Sequence, residues 1–172
     1  ASGNWESDLS VWDFDPPGSN VGPPSGSIVI INEGHTITVN SNSKNPSSVE
    51  VRGRLHLGST NGHNLGTVTV SGSGEKTIQL QSSTFPGGNF TSFVAAGGGT
   101  IEYNGTLNLP IQATYNNLSF TGPGTKTLGN VDLVVNGNLT IKDGNVSNAG
   151  YNRNISLVSS TSDFHNNAVF SM

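Results

Sequence analysis

Apolar and polar residues alternate through most of the chain, and one alternating phrase occurs three times. Val49-Glu50-Val51-Arg52-Gly53-Arg54-Leu55-His56-Leu57 is matched by Ile101-Glu102-Tyr103-Asn104-Gly105-Thr106-Leu107-Asn108-Leu109 and by Leu133-Val134-Val135-Asn136-Gly137-Asn138-Leu139-Thr140-Ile141. Each reads apolar-x-apolar-x-Gly-x-apolar-x-apolar. A period of two puts the apolar set on one face of a strand. The central glycine stands where an inward side chain would be, so the strand can bend there. The pattern predicts Val49, Val51, Leu55, Leu57, Ile101, Tyr103, Leu107, Leu109, Leu133, Val135, Leu139 and Ile141 inside. It predicts Glu50, Arg52, Glu102, Asn104, Asn136 and Asn138 outside. A recurring strand-corner-strand unit marks a stacked β architecture. The predicted fold is all-β, a right-handed β-helix (β-solenoid), with almost no helix because no long stretch carries a helical period.

Further strands are predicted at Val29 and Ile31 and at Ile37 and Val39, with Asn32 to His35 as the turn between them. A second phrase, Gly72-Ser73-Gly74-Glu75-Lys76-Thr77-Ile78, returns as Gly122-Pro123-Gly124-Thr125-Lys126-Thr127-Leu128. The repeating unit is read as starting near Val49, Ile101 and Leu133. A Phe-rich insertion at about 82–99 (Phe85, Phe90, Phe93, then Gly97 to Gly99) separates the first two starts. Residues 1–26 differ from the rest. They hold Trp5 and Trp12, the acidic residues Glu6, Asp8, Asp13 and Asp15, and Pro16, Pro17, Pro23 and Pro24. An open solenoid end needs cover, so this segment is read as an N-terminal cap. The organisation expected is one β-helix domain over 1–172, with a cap at 1–26 and coils at 27–172. The chain stops at Met172 inside strand-like text. A fragment of a longer protein is therefore expected, with the remainder of the solenoid at the C-terminal end.

Composition narrows the partners. Only 32% of the 172 residues are hydrophobic and 10% charged, the net charge is −4, and the pI is near 5.4. The seven Lys and Arg residues are scattered, which argues against a nucleic-acid partner. No apolar run is long enough for a membrane-spanning helix. Without Cys there is no disulfide framework or thiol chemistry.

The opening residues Gly3-Asn4-Trp5, Trp12, Pro24-x-Gly26, Val29-x-Ile31 and Gly34-His35-Thr36-Ile37-Thr38-Val39 resemble G8-type domains and related caps of right-handed β-helices. The later stretches Gly97-Gly98-Gly99-Thr100-Ile101-Glu102-Tyr103-Asn104-Gly105, Thr114-Tyr115-Asn116-Asn117-Leu118 and Val135-Asn136-Gly137-Asn138-Leu139-Thr140 resemble large surface proteins of Bacteroidetes exported by the type IX secretion system. The resemblance implies a secreted or surface-attached β-helix, adhesin-like, and supplies no catalytic residues.

Candidate chemistry is sparse. The Gly-x-Gly-x-Lys-Thr phrases lack the Gly before Lys and the following helix that a phosphate loop needs, and read as turns between strands. Glu6, Asp8, Asp13 and Asp15 could offer oxygens to calcium but match no calcium loop. A glycan-cleaving site needs an acid and a base on one groove. The outward carboxylates Glu50, Glu102 and Asp132 and the outward Arg52 and Arg54 are the residues to watch, while His35, His56, His63 and His165 fall in unrelated contexts. Tyr115, Tyr151 and the Phe residues near Phe90 are candidates for stacking on sugars. Thr36-x-Thr38, Thr67-x-Thr69 and Thr125-x-Thr127 resemble the Thr arrays of ice-binding solenoids. The reading that follows is a non-catalytic, extracellular structural or adhesive module, with no catalytic, metal or cofactor-binding residues assigned. Its partners would be glycans or other surface proteins. The alternatives are a polysaccharide-binding or polysaccharide-degrading β-helix and a passive spacer.

Overall fold

Short strands alternate with tight turns along the whole computed structural model, which describes residues 2–6, 22–109, 113–148, 150, 153–158, 163–166 and 169–171. In chain order, β1 (Gly3–Asn4) precedes β2 (Ile28–Ile31) and β3 (Thr36–Thr38). Then come β4 (Ser48–Val51) with β5 (Arg54–Gly58), and β6 (Asn64–Val70) with β7 (Thr77–Leu80). The next turn holds β8 (Gly87–Asn89), the helix α1 (Thr91–Val94), β9 (Thr100–Asn104) and β10 (Leu107–Asn108). Three-stranded turns follow: β11 (Thr114–Tyr115), β12 (Asn117–Thr121) and β13 (Thr125–Thr127), then β14 (Leu133–Val135), β15 (Leu139–Ile141) and β16 (Asn145–Ser147). The last is β17 (Ile155–Leu157), β18 (Phe164–Asn166) and β19 (Val169–Ser171).

These strands stack in parallel as a β-solenoid of about six turns. One long sheet runs the length of the molecule in the order β1-β3-β5-β7-β9-β12-β15-β18. A first flanking sheet, β2-β4-β6-β8, accompanies its N-terminal half. Beyond it a second, β11-β14-β17, and a third, β10-β13-β16-β19, take over. The solenoid thus changes cross-section where α1 sits, within the segment that the sequence marks as inserted.

The inward set follows the predicted alternation. All twelve predicted core positions are buried, and none of the six predicted outward positions is. The inward residues stack as columns, for example Ile37, Leu55, Ile78, Ile101, Leu118 and Leu139 along the long sheet. Tyr103 lies on Phe120 with ring centroids 6.2 Å apart, and its hydroxyl is 3.1 Å from that of Tyr115. Burial holds the Tyr115 phenol at about 12 and pushes Tyr103 well above the ordinary range.

The repeated phrase, however, is not the repeating rung. Gly53 turns β4 of the first flanking sheet into β5 of the long sheet, Gly105 turns β9 of the long sheet into β10, and Gly137 turns β14 of the second flanking sheet into β15. Ile101 stacks between Ile78 and Leu118, not on Val49. The phrase is what any sharp corner demands locally, so it recurs at corners of different kind.

At the N-terminal end, β1 adds a pair to β3 and the Trp5 amide donates to the Thr38 carbonyl at 2.8 Å. The Trp5 side chain is buried with Ile37 and Val39 in the core. Glu6 accepts from the Asn40 and Ser41 amides and pairs with Lys44 at 3.1 Å. Trp12, Asp8, Asp13, Asp15 and Tyr151 lie outside the described residues.

Candidate functional surfaces

Parallel stacking places outward residues of successive rungs in rows. One row on the long sheet runs Thr38, His56, Gln79, Glu102, Ser119, Thr140 and His165. The row beside it runs Thr36, Arg54, Thr77, Thr100 and Asn117. Glu102 is the hub. Its Oε1 accepts from Arg54 Nη2 at 2.7 Å, Gln79 Nε2 at 2.5 Å and Thr121 Oγ1 at 2.9 Å. Arg54 also pairs with Glu75. Asn104 Nδ2 donates to Thr121 Oγ1 at 3.0 Å, and Gln81 Nε2 donates to Asn104 Oδ1 at 2.9 Å. The Glu102 side chain is 13% exposed and that of Arg54 20%. Burial pulls the Arg54 guanidinium down, but Glu102 and Glu75 outweigh it and hold it above its ordinary value. Burial, then Arg54, keeps His56 below the usual imidazole range. Its Nε2 is buried without a hydrogen-bond partner.

The three carboxylates singled out from the sequence do not meet. Glu50 is on the first flanking sheet, where hydrogen bonds from Arg52, at 2.9 Å, and from Ser71 lower its pKa. Asp132 precedes β14 and accepts from the Asn154 amide at 2.9 Å. Glu102 stands apart from both on the long sheet. One oxygen of each carboxylate is engaged by these donors, and the structure pairs no two of the three as acid and base. Among the described residues no group of three or more His, Asp or Glu is arranged to hold a metal ion.

The two Gly-rich phrases serve the fold in different ways. In the first, the Ser73 and Gly74 amides donate to Glu33 Oε1 at 2.6 and 3.2 Å, so the loop does cradle an anion, one supplied by the chain itself. In the second, Lys126 occupies an inward register between Leu107 and Val146 and is fully buried. Its Nζ donates to the Gly122 carbonyl and to that of Asp143 at 3.2 Å, and burial lowers its pKa against the pull of Asp143. The inward lysine was missed in the sequence. Its only signal there was its place between Thr125 and Thr127 on an alternating strand. The paired Thr positions lie on three different sheets and form no single array: Thr36 and Thr38 on the long sheet, Thr67 and Thr69 on the first flanking sheet, Thr125 and Thr127 on the third.

The aromatics mostly fill the core. Tyr115, Tyr103, Phe93 and Phe120 are fully buried, which removes Tyr115 as a sugar platform. Near Phe90, itself buried, the surface is not flat. A cleft of about 560 Å³ opens beside α1, lined by Phe85, Pro86, Gly88, Asn89, Phe90, Thr91, Val94, Ala95 and Thr114. Phe85 packs edge-on against Phe90, with centroids 4.9 Å apart. His35 is in the turn after β2. His63 is buried, its Nδ1 accepting from the Lys44 amide at 3.1 Å, and His165 faces Asp163 at 3.8 Å. No helix of the described residues is long and apolar enough to cross a membrane. The chain matches no family model, no curated protein and no solved structure.

Proposed function

We propose that this chain is a non-catalytic structural and adhesive β-solenoid, a module of an extracellular or bacterial surface protein that offers rigid polar faces to glycans or to other surface proteins. One observation carries the reading: Glu50, Glu102 and Asp132 stand on separate elements, each held by its own donors. Glycan cleavage needs an acid and a base facing one groove, and these three carboxylates face none in common. Three donors on one Glu102 oxygen instead make a polar lattice that stiffens the long sheet. Right-handed winding belongs to the same reading, since parallel crossovers favour that hand. So do a capping role for residues 1–26 and export of the type IX kind, the latter on the sequence resemblance alone.

A polysaccharide-degrading enzyme is the competing reading. It is favoured by Arg54, His56 and Glu102 sharing one outer face within three neighbouring strands. Incubating the purified chain with neutral and acidic polysaccharides and measuring new reducing ends decides between them. No turnover is expected. Turnover that Glu102→Gln abolishes overturns the non-catalytic reading.

A further inference from the structure

We propose that the cleft beside α1 is a binding subsite for a short neutral glycan, one or two sugar units long. The inference rests on the adhesive reading and gives it a place and a ligand class. The cleft lies where the first flanking sheet ends at β8 and the second begins at β11. These two strands are not paired with each other, and α1 stands between them. A regular solenoid rung would close this gap with strand upon strand. Here the chain leaves a pocket between the two sheets.

The lining is what a neutral sugar needs. It contains no charged residue. Phe85 and Val94, both partly exposed, offer apolar surface to the C–H face of a ring, with the buried Pro86 and Phe90 behind them. Asn89, Thr91 and Thr114 offer an amide and two hydroxyls from three separate elements. Asn89 Oδ1 accepts from the Thr91 amide at 3.0 Å, while its Nδ2 has no partner among the described residues. Nor do the Thr91 and Thr114 hydroxyls, so all three remain available to a ligand. Small-molecule sites span roughly 300–1,000 Å³, and at about 560 Å³ this cleft falls within that range. A uronate or sulfated glycan would find no counter-charge in it.

An extended peptide is the other occupant to weigh, because β8 leaves one strand edge bare. That edge spans only Gly87 to Asn89 and runs at once into α1, which is too short for an added strand to gain a useful ladder. The geometry therefore favours the sugar.

Ala95 gives a clean test. It is exposed, lies in extended backbone (φ −69°, ψ 163°) that any residue adopts, and borders the cleft. Ala95→Trp should fill the site without disturbing the core. Saturation-transfer NMR with maltose, cellobiose, lactose and mannobiose, alongside galacturonate oligomers, should show transfer to at least one neutral disaccharide and none to the uronates. Affinity should fall at least tenfold in Ala95→Trp at unchanged melting temperature. Neutral sugars binding both proteins equally would overturn the subsite and leave the adhesive reading standing. Binding of extended peptides instead, blocked by Ala95→Trp, would also overturn it, as would a preference for the uronates. An array of multivalent glycans and surface proteins on which the wild-type chain binds nothing would overturn both.

Discussion

Two glycines that look equivalent in the repeated phrase should respond differently to alanine. At Gly53 an added Cβ would come within 2.3 Å of the Asn32 carbonyl oxygen and 2.4 Å of that of His35. Both obstacles are backbone in the preceding rung, so no side chain can swing away. The same two rungs are joined by hydrogen bonds from the Gly53 amide to Ile31 O, at 3.0 Å, and from the Arg54 amide to His35 O, at 2.9 Å. Relief of the clash must lift the corner from its neighbour and strain those bonds. Overpacking a tight site costs about 1–3 kcal/mol, and each weakened hydrogen bond adds roughly 0.5–1.5 kcal/mol. The expected loss for Gly53→Ala is therefore about 3 kcal/mol. For a chain of this size that corresponds to a drop of roughly 6–12 °C in melting temperature.

At Gly105 the limiting factor is different. Its φ is +93°, and a Cβ there would meet nothing within 4 Å. Only backbone strain opposes alanine, of order 1–3 kcal/mol. The lower entropy of the unfolded alanine chain returns about 0.4–1 kcal/mol. A net loss near 1 kcal/mol follows by that arithmetic. Urea denaturation followed by far-UV circular dichroism measures both variants in one experiment. Equal losses at the two positions, or a smaller loss at Gly53, would refute the argument that rung-to-rung approach sets the cost of the corner.

Trp5→Ala empties a buried site beneath the first strands, and the expected cost is about 3–5 kcal/mol; an unchanged unfolding midpoint would show that Trp5 supports nothing. Glu33→Ala removes the acceptor shared by the Ser73 and Gly74 amides, so both should lose protection in hydrogen exchange while amides of β9 keep theirs. His63 is kept below its ordinary value of 6.5 by burial and by Lys44, against smaller opposing effects of Thr60 and Glu6. The unfolded chain therefore binds the proton more readily. The stability this site contributes is present above about pH 6.5 and declines as the pH falls below it. Urea midpoints from pH 7.5 to 5 should fall accordingly, and a His63→Gln variant should flatten that slope; an identical slope in the variant would assign the pH dependence to other groups.

The fold was legible because the information lies within single strands. Val49, Val51, Leu55 and Leu57 alternate strictly, and a one-residue slip would turn every one of them to solvent. Composition added that each turn must be thin, since so few residues are apolar. Corners were legible as corners through Gly53, Gly105 and Gly137. Which sheets each corner joins was not, because the local geometry that wants a glycine is the same in each case. The buried Lys126 illustrates a related limit. Its phrase read only as a turn, because a charged side chain gives no inward signal even on an alternating strand. What permits the burial is the turn above it, whose Asp143 carbonyl comes close enough to receive the ammonium.

Surface chemistry was harder to read, for a reason built into a solenoid with unequal rungs. Glu102 meets Arg54 across 48 positions of sequence and Gln79 across 23, and these separations depend on every loop between them. His56 meets Gln79 only because the loops and corners between β5 and β7 bring the chain back over 23 positions. Sequence patterns at fixed spacing find the inside of such a molecule, where each strand is governed by its own period. They do not find the outside, where neighbours are chosen by accumulated loop lengths. The cleft beside α1 follows the same logic. Phe85, Asn89 and Phe90 belong to the one segment that broke the regular pattern, and Thr114 joins them only because the next turn starts a new sheet. In a repeat whose rungs mostly seal one another, a cleft opens where the sealing stops, and the proposed subsite lies there. The irregular stretch from 82 to 99, rather than any residue of the repeated phrase, is therefore where the proposed subsite is to be tested.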